Sequence, residues 1–352
     1  MLCHVDPKIG SLNWTGTLFQ KEGYQYPLTY RALLLYFLVG LVLFIVLYGF
    51  YRRYRLWHIG KDGILWDQWR KRWKGFFSNV LGHRTILRSF FPGISHFFLF
   101  LSLLILGFGV TIVFIQEYFY FPLWRGRFID SQTYPLLRLF FDLSGAIGWL
   151  GTIFLICRRY IQKPKELDNQ QTDAFSLILP FFVFLTGFLV TGIRNQIYQS
   201  PWSPWSPMAT SIASVFIALP VDEHRLRICF SLLWWIHIAL SLAFLSYIPF
   251  SRLLHLFSSP LSILFRNLEA KGALGALDLE ASETFGVGRM EEFIWKDLLE
   301  LDACTRCGRC QEACPAHITQ KHLNPKRVIQ NLKRHLVAIT MAMIRPERYW
   351  AP

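Results

Sequence analysis

Residues 94–116 have the sequence ISHFFLFLSLLILGFGVTIVFIQ, which contains one histidine and no lysine, arginine, aspartate or glutamate. At a rise of about 1.5 Å per residue, a helix over this stretch is long enough to cross a hydrocarbon core of about 30 Å. Because lipid offers no hydrogen bonds to the backbone, a helix is the structure that such a span adopts. The stretch therefore predicts an integral membrane protein.

Four further apolar stretches of similar length lie at 30–51, 136–157, 175–194 and 228–250. They agree with a composition in which 53% of the residues are hydrophobic and 17% are aromatic. The apolar stretch at 207–220 is shorter and flanked by proline, which predicts an interfacial or half-inserted helix. The predicted fold is an all-α bundle of five transmembrane helices, or six if 207–220 also crosses.

Basic residues are concentrated in the loops 52–90 and 158–174. Because lysine and arginine collect in cytoplasmic loops, we expect these loops and the chain from Arg252 onward to face the cytoplasm of a prokaryote. Segment 1–29 then lies on the outer side of the inner membrane. The net charge of +14 does not indicate a nucleic-acid partner, since the basic residues follow the apolar spans. Tryptophans alternate with basic residues in loop 52–90, which predicts a helix along the inner leaflet or one packed beneath the bundle.

Four cysteines lie close together in the C-terminal part of the chain. Cys304, Cys307, Cys310 and Cys314, followed by Pro315, match the C-x2-C-x2-C-x3-C-P motif that binds a [4Fe–4S] cluster. A structural zinc site is less well matched, because zinc sites pair two C-x2-C units separated by a longer stretch. In two-cluster ferredoxins the fourth cysteine binds the other cluster. Cys314 therefore completes this cluster or reaches one shared with a partner chain.

Three histidines lie in or beside the predicted spans. Histidine at membrane depth indicates function, and its neutral ring binds haem iron. His237 and His255 are five helical turns apart, which predicts one shared helix face with a separation of about 27 Å, although Pro249 can bend the helix. They would then serve haems at different depths. His96 starts its span near the depth of His255, so we predict that these two hold one haem b and that His237 is a candidate ligand of a second.

Over about 30–257, these histidines and spans resemble the membrane cytochrome b subunit of respiratory nitrate reductase. The resemblance implies a five-helix bundle in which His96, His237 and His255 hold b haems and quinol is oxidised. That family has a second histidine on helix two, where this chain has Leu106. The resemblance leaves open whether one haem or two are bound.

Nearly the whole chain resembles the heterodisulfide-reductase-related membrane oxidoreductases. The resemblance lies in Ile248-Pro249-Phe250-Ser251, in Phe293-Ile294-Trp295 and in the cysteine motif. It implies electron transfer between the [4Fe–4S] cluster, haem b and menaquinone or ubiquinone. It also implies partner subunits such as electron-transfer flavoprotein or a heterodisulfide-reductase-like chain. That group continues into a second ferredoxin motif, so this chain resembles its membrane half. The alternative is a non-catalytic anchor that docks a soluble iron–sulfur oxidoreductase.

The predicted domain order runs from the outward-facing segment 1–29 to a haem b domain at 30–257. A cytoplasmic linker at 258–300 and a small α-helical, ferredoxin-like iron–sulfur module at 301–352 follow.

Charged residues near the outer ends of the spans form a second candidate site. Arg138 and Asp142 are four residues apart, a spacing that predicts an ion pair on one helix. Alternatively, they line a quinone pocket with Arg194 and Arg227, in which Asp142 moves a proton.

Overall fold

The computed structural model describes residues 30–63, 66–115, 133–217, 222–269 and 286–344. The predictions for segment 1–29 and for residues 270–285 of the linker lie outside the described residues.

Long helices dominate the first three quarters of the chain. In chain order they are α1 (Tyr30–Trp57), α2 (Trp69–Phe76), α3 (Phe90–Ile115), α4 (Thr133–Ile156), α5 (Gln171–Ile197), α6 (Pro207–Ile217), α7 (Glu223–Tyr247) and α8 (His255–Leu264). The C-terminal part contains α9 (Trp295–Ala303), α10 (Arg309–Glu312), α11 (Pro315–Ile318) and α12 (Pro325–Ile344). Turns of π-helix or 3₁₀-helix cover Phe77–Leu81, Cys157–Gln162, Ser203–Trp205, Ile248–Phe250, Arg252–Leu254 and Met290–Glu292.

Five of these helices, α1, α3, α4, α5 and α7, are long and apolar enough to cross a membrane. They coincide with the five predicted spans, so the all-α membrane fold is confirmed. Helix α6 is the predicted short helix. Its 11 residues extend about 16 Å, which is too short to cross a bilayer.

The chain forms two compact units. The first comprises the described parts of Met1–Val42, Ser89–Ile161 and Leu177–Leu245, and the second those of Leu43–Arg88, Gln162–Ser176 and Ser246–Pro352.

In the first unit, small residues allow α3 and α4 to pack backbone against backbone. A Cβ atom added at Gly151 would lie 2.7 Å from the carbonyl oxygen of Ser95, and one at Gly148 would collide with the hydroxyl of Ser102. Membrane helices associate through such close packing, because lipid is as apolar as the side chains it replaces. The glycines of α4 therefore fix its contact with α3.

In the second unit, an apolar core joins the end of α1 to the C-terminal helices. Its buried members are Leu56, Met290, Leu298, Leu301 and Leu336. Next to this core the backbone N–H of Lys61 donates to the carbonyl of Phe293 at 2.7 Å, and the N–H of Trp295 donates to the carbonyl of Lys61 at 3.0 Å. The residues just before the cysteine motif are thus held against the residues that follow the first span.

The chain leaves the helical conformation between α7 and α8. Pro249 cannot donate a backbone hydrogen bond, and Ser251 is extended at φ −125° and ψ −174°. The Ser251 hydroxyl accepts from the N–H of Leu253 at 3.1 Å, which starts the next turn. His237 and His255 consequently lie in different helices, and the expectation that they share one helix face is wrong.

Helix α2 has one packed face and one exposed face. Arg72 is buried and donates to the carbonyls of Leu264 at 3.1 Å and Arg266 at 2.9 Å, at the end of α8. On the other face Trp73 and Phe77 are exposed. One face of α2 is thus packed against the end of α8, and both predictions for this segment, a helix along the inner leaflet or one beneath the bundle, stay predictions.

We expect Arg72→Ala to lower the free energy of unfolding by about 2 kcal/mol, because two carbonyls at the end of α8 lose their donor. Arg70→Ala on the same helix is the matched control, since Arg70 is exposed and such surface changes cost less than about 0.5 kcal/mol. Thermal unfolding of the detergent-solubilised protein measures both. Equal midpoints for the two variants would contradict the structural role of Arg72.

Candidate functional site

The four motif cysteines lie within one compact series of turns. Cys304 directly follows α9, Cys310 lies in α10 and Cys314 immediately precedes α11. Burial and the neighbouring Cys304 and Cys307 thiols raise the pKa of the Cys310 thiol. Among the described residues, no three His, Cys, Asp or Glu side chains converge on a single metal ion. The four cysteines as ligands of one [4Fe–4S] cluster stay a prediction.

Gly308 is the glycine that this turn requires. Its φ of 82° lies in the left-handed region, and a Cβ atom there would lie 2.9 Å from the carbonyl oxygen of Glu166. Its own carbonyl accepts from the N–H groups of Gln311 at 2.9 Å and Glu312 at 3.0 Å, which begins α10. Gly308 therefore permits the turn that leads into α10.

Arg306 anchors the cysteine turn to the start of α5 and the residues just before it. Its side chain is 9% exposed and lies 3.2 Å from the carboxylate of Asp168 and 3.4 Å from that of Asp173. Asp168 also accepts from Lys326 at 2.7 Å, and Asp173 forms an ion pair with Arg252. Burial raises the pKa of Asp168, but Lys326 and Arg306 outweigh it and hold that pKa below its usual range.

His255 is held in place through one ring nitrogen. Its Nδ1 lies 2.6 Å from the carbonyl oxygen of Arg252, which can only accept, so the proton of the neutral ring resides on Nδ1. Burial lowers the pKa of His255 to about 4, which keeps the ring neutral at pH 7. The lone pair is then on Nε2. A metal-binding histidine is typically oriented in this way, by a carbonyl acceptor on its second nitrogen.

His237 has the same orientation in the first unit. The Thr186 hydroxyl lies 2.9 Å from Nδ1 of His237 and within 2.7 Å of the carbonyl of Phe182. When the hydroxyl donates to Phe182, its oxygen accepts from Nδ1, which leaves the lone pair of the ring on Nε2. A Cβ atom added at Gly187 would approach Cε1 of His237 to 3.3 Å, so this glycine keeps the side of the ring uncovered. The residues at His237 therefore fit an axial ligand of haem.

His96 lies in the second turn of α3 and is half-buried. Its pairing with His255 stays a prediction, because the two residues belong to different compact units. Leu106, where the nitrate reductase family has its second helix-two histidine, packs against a core of Ala146, Phe184, Phe188 and Ala209.

Arg138 and Asp142 contact other groups rather than each other. Arg138 is buried and donates to the Ser206 hydroxyl and to Oδ1 of Asn195. Asp142 accepts from the backbone N–H groups of Met208 at 2.8 Å and Ala209 at 3.1 Å. The carboxylate therefore caps the N-terminus of α6, where negative charge is stabilising. The predicted ion pair between them is wrong, and both side chains hold α6 in place.

The other two residues of the predicted quinone pocket are less tightly placed. Arg194 is half-buried near the end of α5. Arg227 is exposed, pairs with Glu223 at 2.6 Å and lies over the Tyr198 ring, 5.4 Å from its centroid. Their part in a quinone pocket stays a prediction.

Sequence reasoning missed Asp173, Thr186 and Asn195. Thr186 is a polar residue in the predicted span 175–194 and Asn195 directly follows that span, a signal that could have marked them. Asp173 lies in the first turn of α5, where an acidic residue is ordinary, so only its long-range contacts reveal it.

Two parts of the chain match known families. Residues 99–270 match the nitrate reductase gamma subunit, and residues 295–316 match a 4Fe-4S binding domain. The first match includes His237 and His255, and the second includes all four motif cysteines. The first match confirms the resemblance to the membrane subunit of nitrate reductase, and the second confirms the 4Fe-4S binding motif.

Curated relatives extend the likeness along the chain. The EtfAB:quinone oxidoreductase of Syntrophomonas wolfei is 35% identical over 324 residues, or 87% of this chain and 43% of that protein. The probable iron-sulfur-binding oxidoreductase FadF of Bacillus subtilis is 30% identical over 92% of this chain and 45% of its own length. A probable membrane-anchored ferredoxin of Chromohalobacter salexigens is 45% identical over 60 residues, which are 17% of this chain and 9% of that protein. The chain thus spans less than half the length of the first two relatives. No solved structure matches it.

We expect Gly308→Ala to lose the cluster, because the new methyl group meets the Glu166 carbonyl and the backbone is left-handed. Gly286→Ala is the matched control: Gly286 also has a positive φ, of 94°, but no atom lies within 4 Å of an added Cβ. Iron content and visible absorbance of the purified protein measure the outcome. If both variants lose iron equally, backbone strain rather than the contact with Glu166 is responsible.

Proposed function

We propose that this chain, a membrane protein with a nitrate reductase gamma-like domain followed by a 4Fe–4S binding domain, is a quinone-linked electron-transfer oxidoreductase. The observation that carries the proposal is the matching orientation of His237 and His255, each with Nδ1 hydrogen-bonded to an oxygen atom. A chain that also contains a four-cysteine cluster motif then has ligands for two kinds of one-electron carrier. The names of the relatives support an oxidoreductase.

Cys304, Cys307, Cys310 and Cys314 are the proposed ligands of one [4Fe–4S] cluster. His96 and His255 are the proposed axial ligands of one haem b, and the orientation of His237 supports a second haem site. When bound, these groups supply reversible one-electron transfer. The protein contributes ligand identity, burial and the hydrogen bonds at Nδ1, which set how readily an electron is accepted.

For the quinone, we propose a site beside Arg138 and Asn195. Asn195 is 3% exposed, and its Oδ1 accepts from Arg138. Within the described part of the chain its Nδ2 has no hydrogen-bond partner, although it is buried. A buried amide donor without an acceptor is costly, and a quinone carbonyl is an acceptor of suitable chemistry. The relative named as a quinone oxidoreductase supports this substrate.

The relatives and the basic loops also support a proposal for the redox partner and for the orientation of the chain in the membrane. The name of the relative from Syntrophomonas wolfei joins EtfAB to quinone. We therefore propose an electron-transfer flavoprotein or a heterodisulfide-reductase-like chain as the partner. The basic loops beside α1 and α4 support a cysteine motif on the cytoplasmic side of a prokaryotic inner membrane.

A pyridine-haemochrome assay with reduced-minus-oxidised spectra tests the haem proposal. We expect b-type haem in the purified chain and its loss from the His96/His255 site in His255→Ala. His224→Ala is the control, because His224 is exposed. One haem per chain supports the His96/His255 pair. Two haems per chain support His237 as the ligand of a second haem. A chain that binds no haem and does not react with quinone would favour the non-catalytic anchor.

Thr186→Val tests His237 as a ligand. Loss of the hydroxyl removes the acceptor at Nδ1, makes His237 a weaker base and should raise the midpoint potential of its haem. Thr152→Val is the matched control, because its hydroxyl also bonds the carbonyl four residues back, that of Gly148 at 2.8 Å. Spectroscopic redox titration compares them. Identical titrations in both variants would count against His237 as an axial ligand.

A further inference from the structure

Asp173 is a buried carboxylate held between two guanidinium groups. It is 2% exposed, and it pairs with Arg306 at 3.4 Å and with Arg252. The backbone N–H of Gln170 donates to it at 3.0 Å. In such a buried position, charge acts over longer distances than at the surface, because water screens it less.

The two arginines belong to the two proposed cofactor sites. Arg306 immediately precedes Cys307, and its φ of 57° places it in the left-handed part of the cysteine turn. Arg252 provides the carbonyl that accepts from Nδ1 of His255 at 2.6 Å. A continuous series of covalent bonds, ion pairs and one hydrogen bond therefore joins Cys307 to His255 through Asp173. All of these residues lie in the second compact unit.

We propose that Asp173 is a positioning residue that sets the electrostatic environment of the [4Fe–4S] cluster and of the His255 haem together. The inference rests on the proposed function, because it takes Cys307 and His255 as cofactor ligands. Asp173 binds no cofactor itself. It holds Arg306 and Arg252 in place and partly neutralises both of them.

The sign of the effect follows from charge. Reduction adds an electron to either cofactor, and a nearby carboxylate opposes that added negative charge. Asp173→Asn removes the carboxylate charge while keeping the size of the side chain, and it leaves two arginines less neutralised. Both midpoint potentials should therefore rise.

The experiment is a redox titration of the detergent-solubilised full chain, followed by electron paramagnetic resonance for the cluster and visible spectra for the haem. In Asp173→Asn we expect the equilibrium constant for reduction to rise about tenfold at each cofactor, which is about 59 mV for one electron. The matched control is Asp168→Asn. Asp168 pairs with Arg306 and Lys326 on the cysteine side and is 44% exposed, so a smaller rise at the cluster and none at the haem are expected.

Two further variants guard against simple misfolding. Asp173→Glu keeps the charge and should leave both potentials close to those of the wild type. Arg306→Gln removes a positive charge beside Cys307 and should lower the cluster potential. A variant that merely loosened the fold would not give shifts of opposite sign in Asp173→Asn and Arg306→Gln.

The outcomes separate this inference from the proposed function. If the wild-type chain contains haem and cluster but Asp173→Asn shifts one potential or neither, the joint role of Asp173 is overturned and the proposed function stands. If the wild-type chain lacks haem or cluster, the proposed function fails, and the inference fails with it.

Discussion

A polar side chain within a membrane-spanning helix must find its partner inside the protein, because lipid offers none. This constraint organises the first compact unit. The Thr186 hydroxyl serves both the carbonyl of Phe182 and the ring of His237, so it fixes which nitrogen of the histidine carries the lone pair. Arg138 and Asp142 satisfy their charges on Ser206, Asn195 and the start of α6. The polar groups of this unit thereby determine the orientation of the His237 ring and the position of a short helix.

In the second unit, the feature that orients a histidine is the break between α7 and α8. Pro249 and the extended Ser251 end α7, and a new helix begins at His255. In the turn between the two helices, the carbonyl of Arg252 accepts from the backbone N–H of His255 and also lies 2.6 Å from Nδ1 of the same residue. The local turn therefore orients the ring of His255.

The sequence carried most of the information about the spans and the cysteine motif, because both are local. Apolar length alone locates α1, α3, α4, α5 and α7, and the motif spacing lies within a dozen residues. Contacts between distant positions were not accessible in this way. Asp173 and Arg306 are 133 residues apart in sequence. No sequence pattern around either residue predicts that the two form an ion pair. The ion pair expected between Arg138 and Asp142 failed for the same reason, since their actual partners come from other helices.

Arg306 and Gly308 both have a left-handed backbone conformation in the cysteine turn. They show how contacts with distant residues determine which amino acid is suitable at a position. At Gly308 the carbonyl of Glu166 occupies the space of a Cβ atom, so a side chain is excluded. At Arg306 the same backbone region costs about 1 kcal/mol for a residue with a side chain. Glycine would remove that strain, but it would also remove the guanidinium that both Asp168 and Asp173 contact. Asp173 is buried and would then keep Arg252 alone as its cationic partner, so the ion pairs of Arg306 oppose the strain of its backbone.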